Sequence, residues 1–142
     1  MIEVKKINYE ENKKDLIDFF NNCGIAKQTF TYFDKREFSI IKNHLVNFMA
    51  FDVEKNIPIG YSHLESENDI IWFGICVSDG YRGKGLGNLI MKQTLEYAKN
   101  KSVKEIWLSV YKDNIPAISL YEKMKFNIVK ENEKSYFMKL EL

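Results

Sequence analysis

Between Val77 and Leu89 the chain reads Val-Ser-Asp-Gly-Tyr-Arg-Gly-Lys-Gly-Leu-Gly-Asn-Leu, with glycines at the alternate positions Gly83, Gly85 and Gly87. An apolar run, Ile70 to Val77, leads in, and a helical pattern, Leu86 to Lys99, leads out. The glycines therefore fall where a strand turns into a helix. Glycine adopts backbone angles closed to other residues and lets a ligand approach the main chain. The first N–H groups of a helix lack internal partners and carry the positive end of its dipole. Strand, glycine-rich turn and helix start together make a seat for an anion such as a diphosphate. A P-loop would need Lys followed by Ser or Thr after its second glycine, but Gly85 follows Gly80 and Leu86 comes next. A Rossmann turn would open a longer alternating chain with Gly-x-Gly-x-x-Gly; here the order differs and the stretch lies mid-chain. Glycines that merely ease packing at a helix start are the remaining reading.

Arg-x-x-Gly-x-Gly, written by Arg82, Gly85 and Gly87, resembles the acyl-CoA signature of the GNAT superfamily of N-acetyltransferases. A second stretch, Asn114, Ala117, Leu120, Tyr121 and Phe126, is similar to that family's second motif. Two positions depart from the pattern: Lys125 stands where glycine is usual, and Asp79 where many members have proline. The resemblance covers residues 70 to 142, and the first third in its strand-helix-helix order. It implies a pantetheine arm lying between the fourth and fifth strands, which would splay beyond Val77 and Val110, and bonding to the main chain near Cys76 and Val77. A diphosphate would meet the N–H groups of Gly83, Lys84, Gly85, Leu86 and Gly87. Arg82 would brace the loop, Lys84 would add charge or stay solvated, and Asn114 would bond the arm or cap its helix.

The implied reaction is direct acetyl transfer from acetyl-CoA to a primary amine in a ternary complex, with no metal. An ammonium is no nucleophile, so a base or an ordered water must take its proton. His63 and Glu65 share one face of a strand by two-residue alternation and are the candidate bases, beside a water chain with no dedicated side chain. The family places a tyrosine where the departing thiolate needs a proton, and this matches Tyr121, whose phenol is protonated at neutral pH. Cys76, in an apolar strand, reads as an inert thiol rather than a nucleophile. In this family the first two helices shape the acceptor pocket, a region that holds Phe30, Tyr32 and Arg36. Of the 21 lysines and arginines only Arg36 and Arg82 are arginines, so Arg36 is either a fork for an acceptor carboxylate or phosphate or an exposed helix residue. The acceptor expected is a small molecule, an amino sugar or an amino-acid-like amine. A peptide N-terminus or lysine, or a non-catalytic acyl-CoA-binding module, are the other readings.

The elements that must position these groups are legible in outline. The expectation is one α/β domain over residues 1–142, with a mixed, mostly antiparallel sheet of about seven strands and about four helices. A strand spans Ile2 to Ile7, and a helix Asn12 to Cys23 shows Leu16, Ile17, Phe19 and Phe20 and stops at Gly24. Asp34 and Glu37 suggest a capping box opening a second helix with Phe38, Ile41 and Leu45 at helical spacing. Strands follow at Leu45 to Val53, Ile57 to Glu65 with a bulge at Gly60, and Ile70 to Val77. Leu86, Leu89, Ile90, Tyr97 and Ala98 would face the sheet from the next helix. A strand from Lys104 to Val110, a short helix from Asn114, and strands at Phe126 to Glu131 and Ser135 to Leu142 complete the order. Composition fits: 45% apolar and 29% charged residues suit a globular chain. A net charge of +1 argues against a nucleic-acid partner, and no apolar run approaches membrane-span length. Two cysteines without metal or redox spacing suggest reduced, buried thiols and a cytoplasmic setting. Monomer and homodimer both remain open.

Overall fold

The computed structural model describes residues 1–142, the side chain of Thr29 excepted. Seven strands form one sheet: β1 (Ile2–Ile7), β2 (Val46–Asp52), β3 (Ile57–Glu67), β4 (Ile70–Val77), β5 (Glu105–Tyr111), β6 (Asn127–Glu131) and β7 (Ser135–Glu141). They lie in the order β1-β2-β3-β4-β5-β7-β6. All neighbours are antiparallel except β4 and β5, whose paired register is confined to Trp72 opposite Trp107. The helices are α1 (Tyr9–Asn22), α2 (Ala26–Thr29), α3 (Leu86–Asn100) and α4 (Ile115–Lys123), with 3-10 turns at Tyr32–Lys35, Phe38–Asn43 and Asp79–Tyr81. Among the described residues, no helix is long and apolar enough to cross a membrane.

One face of the sheet is covered by α3 and α4. Met91, Leu95 and Ala98 pack there against Phe73, Ile106, Leu108 and Met138, all buried. Each of these side chains except that of Ala98 contributes about 1.5–3 kcal/mol when withdrawn from water, so this face anchors the fold. On the other face α1 buries Leu16, Phe19 and Phe20 against Met49, Tyr61 and Cys76. Rings from the segment after α1 close over it: Phe20 stacks on Phe30 at 5.7 Å and meets Phe33 edge-on at 5.1 Å.

Several expectations are corrected. α1 begins three residues early, because Asn8 caps it by accepting from Glu10 N and Glu11 N. Ile17 on α1 and Leu89 on α3 are exposed, while Met91, Thr94 and Leu95 take the buried stripe instead. Asp34 and Glu37 form no capping box: Asp34 sits inside a 3-10 turn and Glu37 is extended with no side-chain cap bond. Stacking the aromatic rings of this segment over α1 overrides its helical spacing. Leu45 lies between the 3-10 turn at Phe38–Asn43 and β2, exposed. The bulge falls at Ile59, since Ala50 pairs Gly60 while Phe51 pairs Pro58. Gly60 instead serves close packing, because a Cβ there would lie 2.5 Å from Ile90 Cδ1.

Candidate active site

The gap between β4 and β5 opens sooner than Val77 and Val110. Each strand follows its antiparallel neighbour: β4 stays paired with β3 through Val77, and β5 with β7 through Tyr111. Strand twist carries two such pairs apart once the single parallel bridge is passed. Gly74 to Val77 and Ser109 to Tyr111 become opposite walls of a cavity of about 1040 Å³. It runs from the glycine loop, past α4, to the aromatic segment that follows α1. Of the sequence-predicted site residues, Cys76, Val77, Arg82, Gly83, Gly85, Leu86, Gly87, Asn114, Tyr121, His63, Glu65, Phe30, Tyr32 and Arg36 all line it. Lys84 does not: its ammonium lies over the Tyr81 ring at 5.6 Å, exposed.

The loop end is built of main chain. Gly85 caps α3 with φ +80° and no side-chain cap bond, which leaves the first N–H groups of the helix unfilled by side chains. Nothing lies within 4 Å of a Cβ built on Gly83 or Gly85, so the space in front of this backbone is open. Those two features fit an anionic group such as the diphosphate of coenzyme A. Gly87 sits tight against Leu120, where a Cβ would come within 3.2 Å of Cδ2, holding α3 close to α4.

Asp79, where many members of the family that the sequence resembles have proline, fastens this loop to the other half of the molecule. Its carboxylate accepts from Ile25 N at 2.6 Å and Ala26 N at 2.9 Å, while its own N–H donates to the Cys23 carbonyl at 3.1 Å. A proline here would forfeit that last bond. Arg82 Nε lies 3.9 Å from the same carboxylate, the geometry of a brace. The Tyr81 hydroxyl donates to Asp52 at 2.5 Å, a second tether.

Tyr121 projects from α4, its ring edge-on to Phe73 at 6.4 Å. Burial pushes its phenol well above the ordinary range, and the nearby Cys76 thiol adds to this. Among the described residues no buried side-chain nitrogen or oxygen lacks a hydrogen-bond partner. The Tyr121 hydroxyl has none, so it opens on the cavity. Asn114 caps α4, accepting from Ala117 N at 3.4 Å. Lys125 closes that helix at φ +76°, with Phe126 N bonded to the Tyr121 carbonyl at 3.0 Å. The turn expected of glycine is thus kept by a lysine in a left-handed conformation, which costs about 1–2 kcal/mol. Cys23 and Cys76, distant in sequence, meet as buried free thiols, and burial first, then Cys23, raises the Cys76 thiol. Neither has the electropositive setting of a nucleophile.

At the far end polar side chains are interlocked. Tyr32 Oη donates to Glu65 Oε2 at 2.6 Å and lies 2.7 Å from His44 Nε2. His44 Nδ1 lies 2.7 Å from Asn47 Oδ1, and Tyr61 Oη donates to that oxygen at 2.8 Å. His63 Nδ1 lies 3.1 Å from Tyr61 Oη. Burial holds His63 well below the usual histidine range, reinforced by His44 and Arg36. Arg36 stacks over Tyr32 at 4.3 Å, donates to the Tyr32 carbonyl at 2.9 Å and lies 3.8 Å from Glu67. It is a surface-facing stacked arginine beside a 3-10 turn, not a residue of a second helix. Sequence reasoning missed His44, Asn47 and Tyr61, and the tether that Asp79 makes to Ile25 and Ala26. The alternation Tyr61, His63, Glu65 was the one available signal. Among the described residues no group of three or more His, Cys, Asp or Glu is placed to hold a metal ion.

This chain is similar over much of its length to known acetyltransferases. The sequence profile described as Acetyltransferase (GNAT) family matches residues 10–126. The L-amino acid N-acetyltransferase AaaT of Escherichia coli (strain K12) is 32% identical over 85 residues, 59% of this chain and 52% of that protein. An N-alpha-acetyltransferase of Saccharolobus solfataricus is 31% identical over 97 residues, 65% of this chain and 56% of that protein. The chain spans about a quarter to just over half the length of the curated relatives it first matches. The PaiA N-acetyltransferase of Thermoplasma acidophilum, solved in complex with coenzyme A, superimposes with a TM-score of 0.76 at 20% identity, over 100% of this chain and 99% of that one. That likeness shows a shared fold. With the family profile spanning well over half of its residues, the chain belongs to the Acetyltransferase (GNAT) family.

Proposed function

We propose that the protein moves the acetyl group of acetyl-CoA to a primary amine of a small molecule, by direct attack within a ternary complex. One observation carries this: a single cavity joins an open, glycine-lined helix start, an unpartnered phenol hydroxyl that opens on it and a cluster of polar side chains. The open N–H groups of α3 suit the diphosphate, and the unpaired edges of β4 and β5 suit the pantetheine amides. The amine nitrogen attacks the thioester carbonyl, a base accepts the proton it sheds, and Tyr121 donates its proton to the departing sulfur. The raised phenol keeps that proton available at neutral pH.

For the acceptor, an amino-acid-like amine fits the pairing of cavity carboxylates, Glu65 and Glu67, with the Arg36 guanidinium. The similarity to an L-amino acid N-acetyltransferase supports it. A peptide N-terminus is the second reading, supported by the similarity to an N-alpha-acetyltransferase. Release of free CoA thiol with L-amino acids, glucosamine and an alanyl tripeptide tests the proposal. Amine-dependent release is expected, greatest with an amino acid. Binding of acetyl-CoA with no release for any amine would make the protein a binding module instead.

A further inference from the structure

The hydrogen bonds behind β4 leave little freedom in where their protons sit. Asn47 Nδ2 donates to the Ile41 carbonyl at 3.2 Å, which fixes the orientation of its amide. Its Oδ1 therefore faces Tyr61 Oη at 2.8 Å and His44 Nδ1 at 2.7 Å. A carbonyl oxygen has no hydrogen to give, so Tyr61 donates to it. Tyr61 has one hydrogen, spent on Asn47, and so can only accept from His63 Nδ1 at 3.1 Å. The neutral ring then carries its hydrogen on Nδ1 and its lone pair on Nε2. That nitrogen lies beside Gly74, where a Cβ would come within 2.8 Å of it. It has no hydrogen-bond partner, and no buried polar side-chain atom among the described residues is left without one, so Nε2 opens on the cavity.

The geometry points to His63 as the base of the proposed acetyl transfer, with Asn47 and Tyr61 as positioning residues that set its tautomer. The inference rests on that reading of the site and deepens it. Glu65, the other candidate, is committed: its Oε2 takes the Tyr32 hydroxyl hydrogen at 2.6 Å, and Tyr32 is backed by His44. The step balances simply. As the amine nitrogen bonds to the acetyl carbon, its N–H proton passes to Nε2 while the N–H electron pair stays on nitrogen. The imidazolium keeps Nδ1–H on Tyr61 and Tyr61's hydrogen on Asn47, so nothing else need rearrange. The acetyl carbon–sulfur bond then breaks with its electron pair going to sulfur, Tyr121 gives that thiolate a proton, His63 holds the one from the amine, and solvent restores both groups when the products leave. Gly74 matters here because any side chain in its place would cover Nε2.

Tyr61 on β3, Tyr32 from the first 3-10 turn and His44 from the segment leading into β2 face the His63 ring, β4 presents Gly74 to it, and the charges that act on it are those of His44 and Arg36. Burial keeps the imidazole neutral, as a base must be.

Nitrogen-15 NMR of the labelled protein at neutral pH reads the tautomer directly, since the chain has two histidines and His44→Gln removes one. The expected result is a neutral His63 protonated at Nδ1. In Asn47→Leu, Tyr61 is free to turn its hydrogen to His63 Nδ1. The tautomer should switch to Nε2–H and kcat should fall about 10²-fold, the lower end for a general base. The KM for acetyl-CoA should hold, measured with whichever of an L-amino acid, glucosamine or an alanyl tripeptide turns over fastest. Asn47→Asp keeps an oxygen acceptor before Tyr61 and should retain both the tautomer and most of kcat. An Nε2–H tautomer or an imidazolium in the wild-type protein overturns the assignment and needs no variant to fold. So does a tautomer switch in Asn47→Leu with kcat unchanged. Absence of thiol release from wild-type protein with all three amines overturns the transfer reading and the base with it.

Discussion

The two ends of the cavity are made of different material. Around α3 the wall is main chain: helix-start N–H groups, glycines with empty space before them, and strand edges of β4 and β5 left without a partner. Around β3 it is side chain, with Tyr32, His44, Asn47, Tyr61, His63 and Glu65 bonded to one another and ringed by Phe30 and Phe20. A wall of backbone suits a ligand whose diphosphate and amides do not change from one relative to the next. A wall of side chains suits an acceptor that does. Asp79 joins the two, holding the loop to the start of α2 through bonds to Ile25 N and Ala26 N.

The largest expected effect lies where the walls meet. Tyr121→Phe removes one oxygen and leaves the ring packed on Phe73 and Phe126. Turnover should fall by roughly 10²–10⁴-fold with acetyl-CoA binding nearly unchanged. A loss explained wholly by weaker cofactor binding would move Tyr121 to the backbone wall's side of the comparison.

Next in size is Gly85→Val. A β-branched residue at φ +80° is strained by about 1–3 kcal/mol and puts a side chain into the open space before the helix start. CoA affinity should drop about tenfold or more by calorimetry, while amine specificity among residual turnovers stays the same. A folded variant with unchanged CoA affinity would show that the glycines serve packing alone.

Arg36→Lys sharpens the other wall. The lysine keeps the charge but loses the stacked, planar fork over Tyr32. The acceptor KM should rise several-fold while that for acetyl-CoA holds; equal effects on both would reduce Arg36 to a brace for the Tyr32 turn.

The smallest effect is on stability. His63 is 1% exposed and its folded pKa is depressed, first by burial. Below about pH 6.5 the unfolded chain takes up a proton that the folded protein refuses. Stability should therefore fall as pH drops from that point, by at most about 1.4 kcal/mol per pH unit, until the folded pKa is passed. Thermal melts from pH 7 to 5 should show this slope on top of the one that His44, also lowered by burial, contributes, and His63→Gln should reduce the total. A slope unchanged in that variant would assign it to other groups.

The same contrast explains how much the sequence reveals. Glycine spacing at a strand-to-helix turn is a local property, so Gly83, Gly85 and Gly87 are legible before any fold is known. β1 and β4 likewise match their apolar patterns end to end. Side-chain networks draw on segments far apart in the chain, and His44, Asn47 and Tyr61 carry no spacing that announces their meeting. The misread helix at Asp34 has a related cause. Phe30, Tyr32, Phe33 and Phe38 are tied by stacking on Phe20 and on each other, and that tertiary packing outweighs a local capping pattern. Lys125 shows the reverse: α4 and β6 hold a lysine at φ +76° because its neighbours' bonds require the turn.

The division of the cavity is tested most directly by following backbone amide signals while coenzyme A is titrated into the protein. The account predicts saturable shifts at Gly83 to Gly87, at Gly74 to Val77 and at Asn114, with His44, Asn47 and Tyr61 left nearly unmoved. Shifts centred on the β3 side-chain cluster, or no saturable change at the glycine loop, would contradict it.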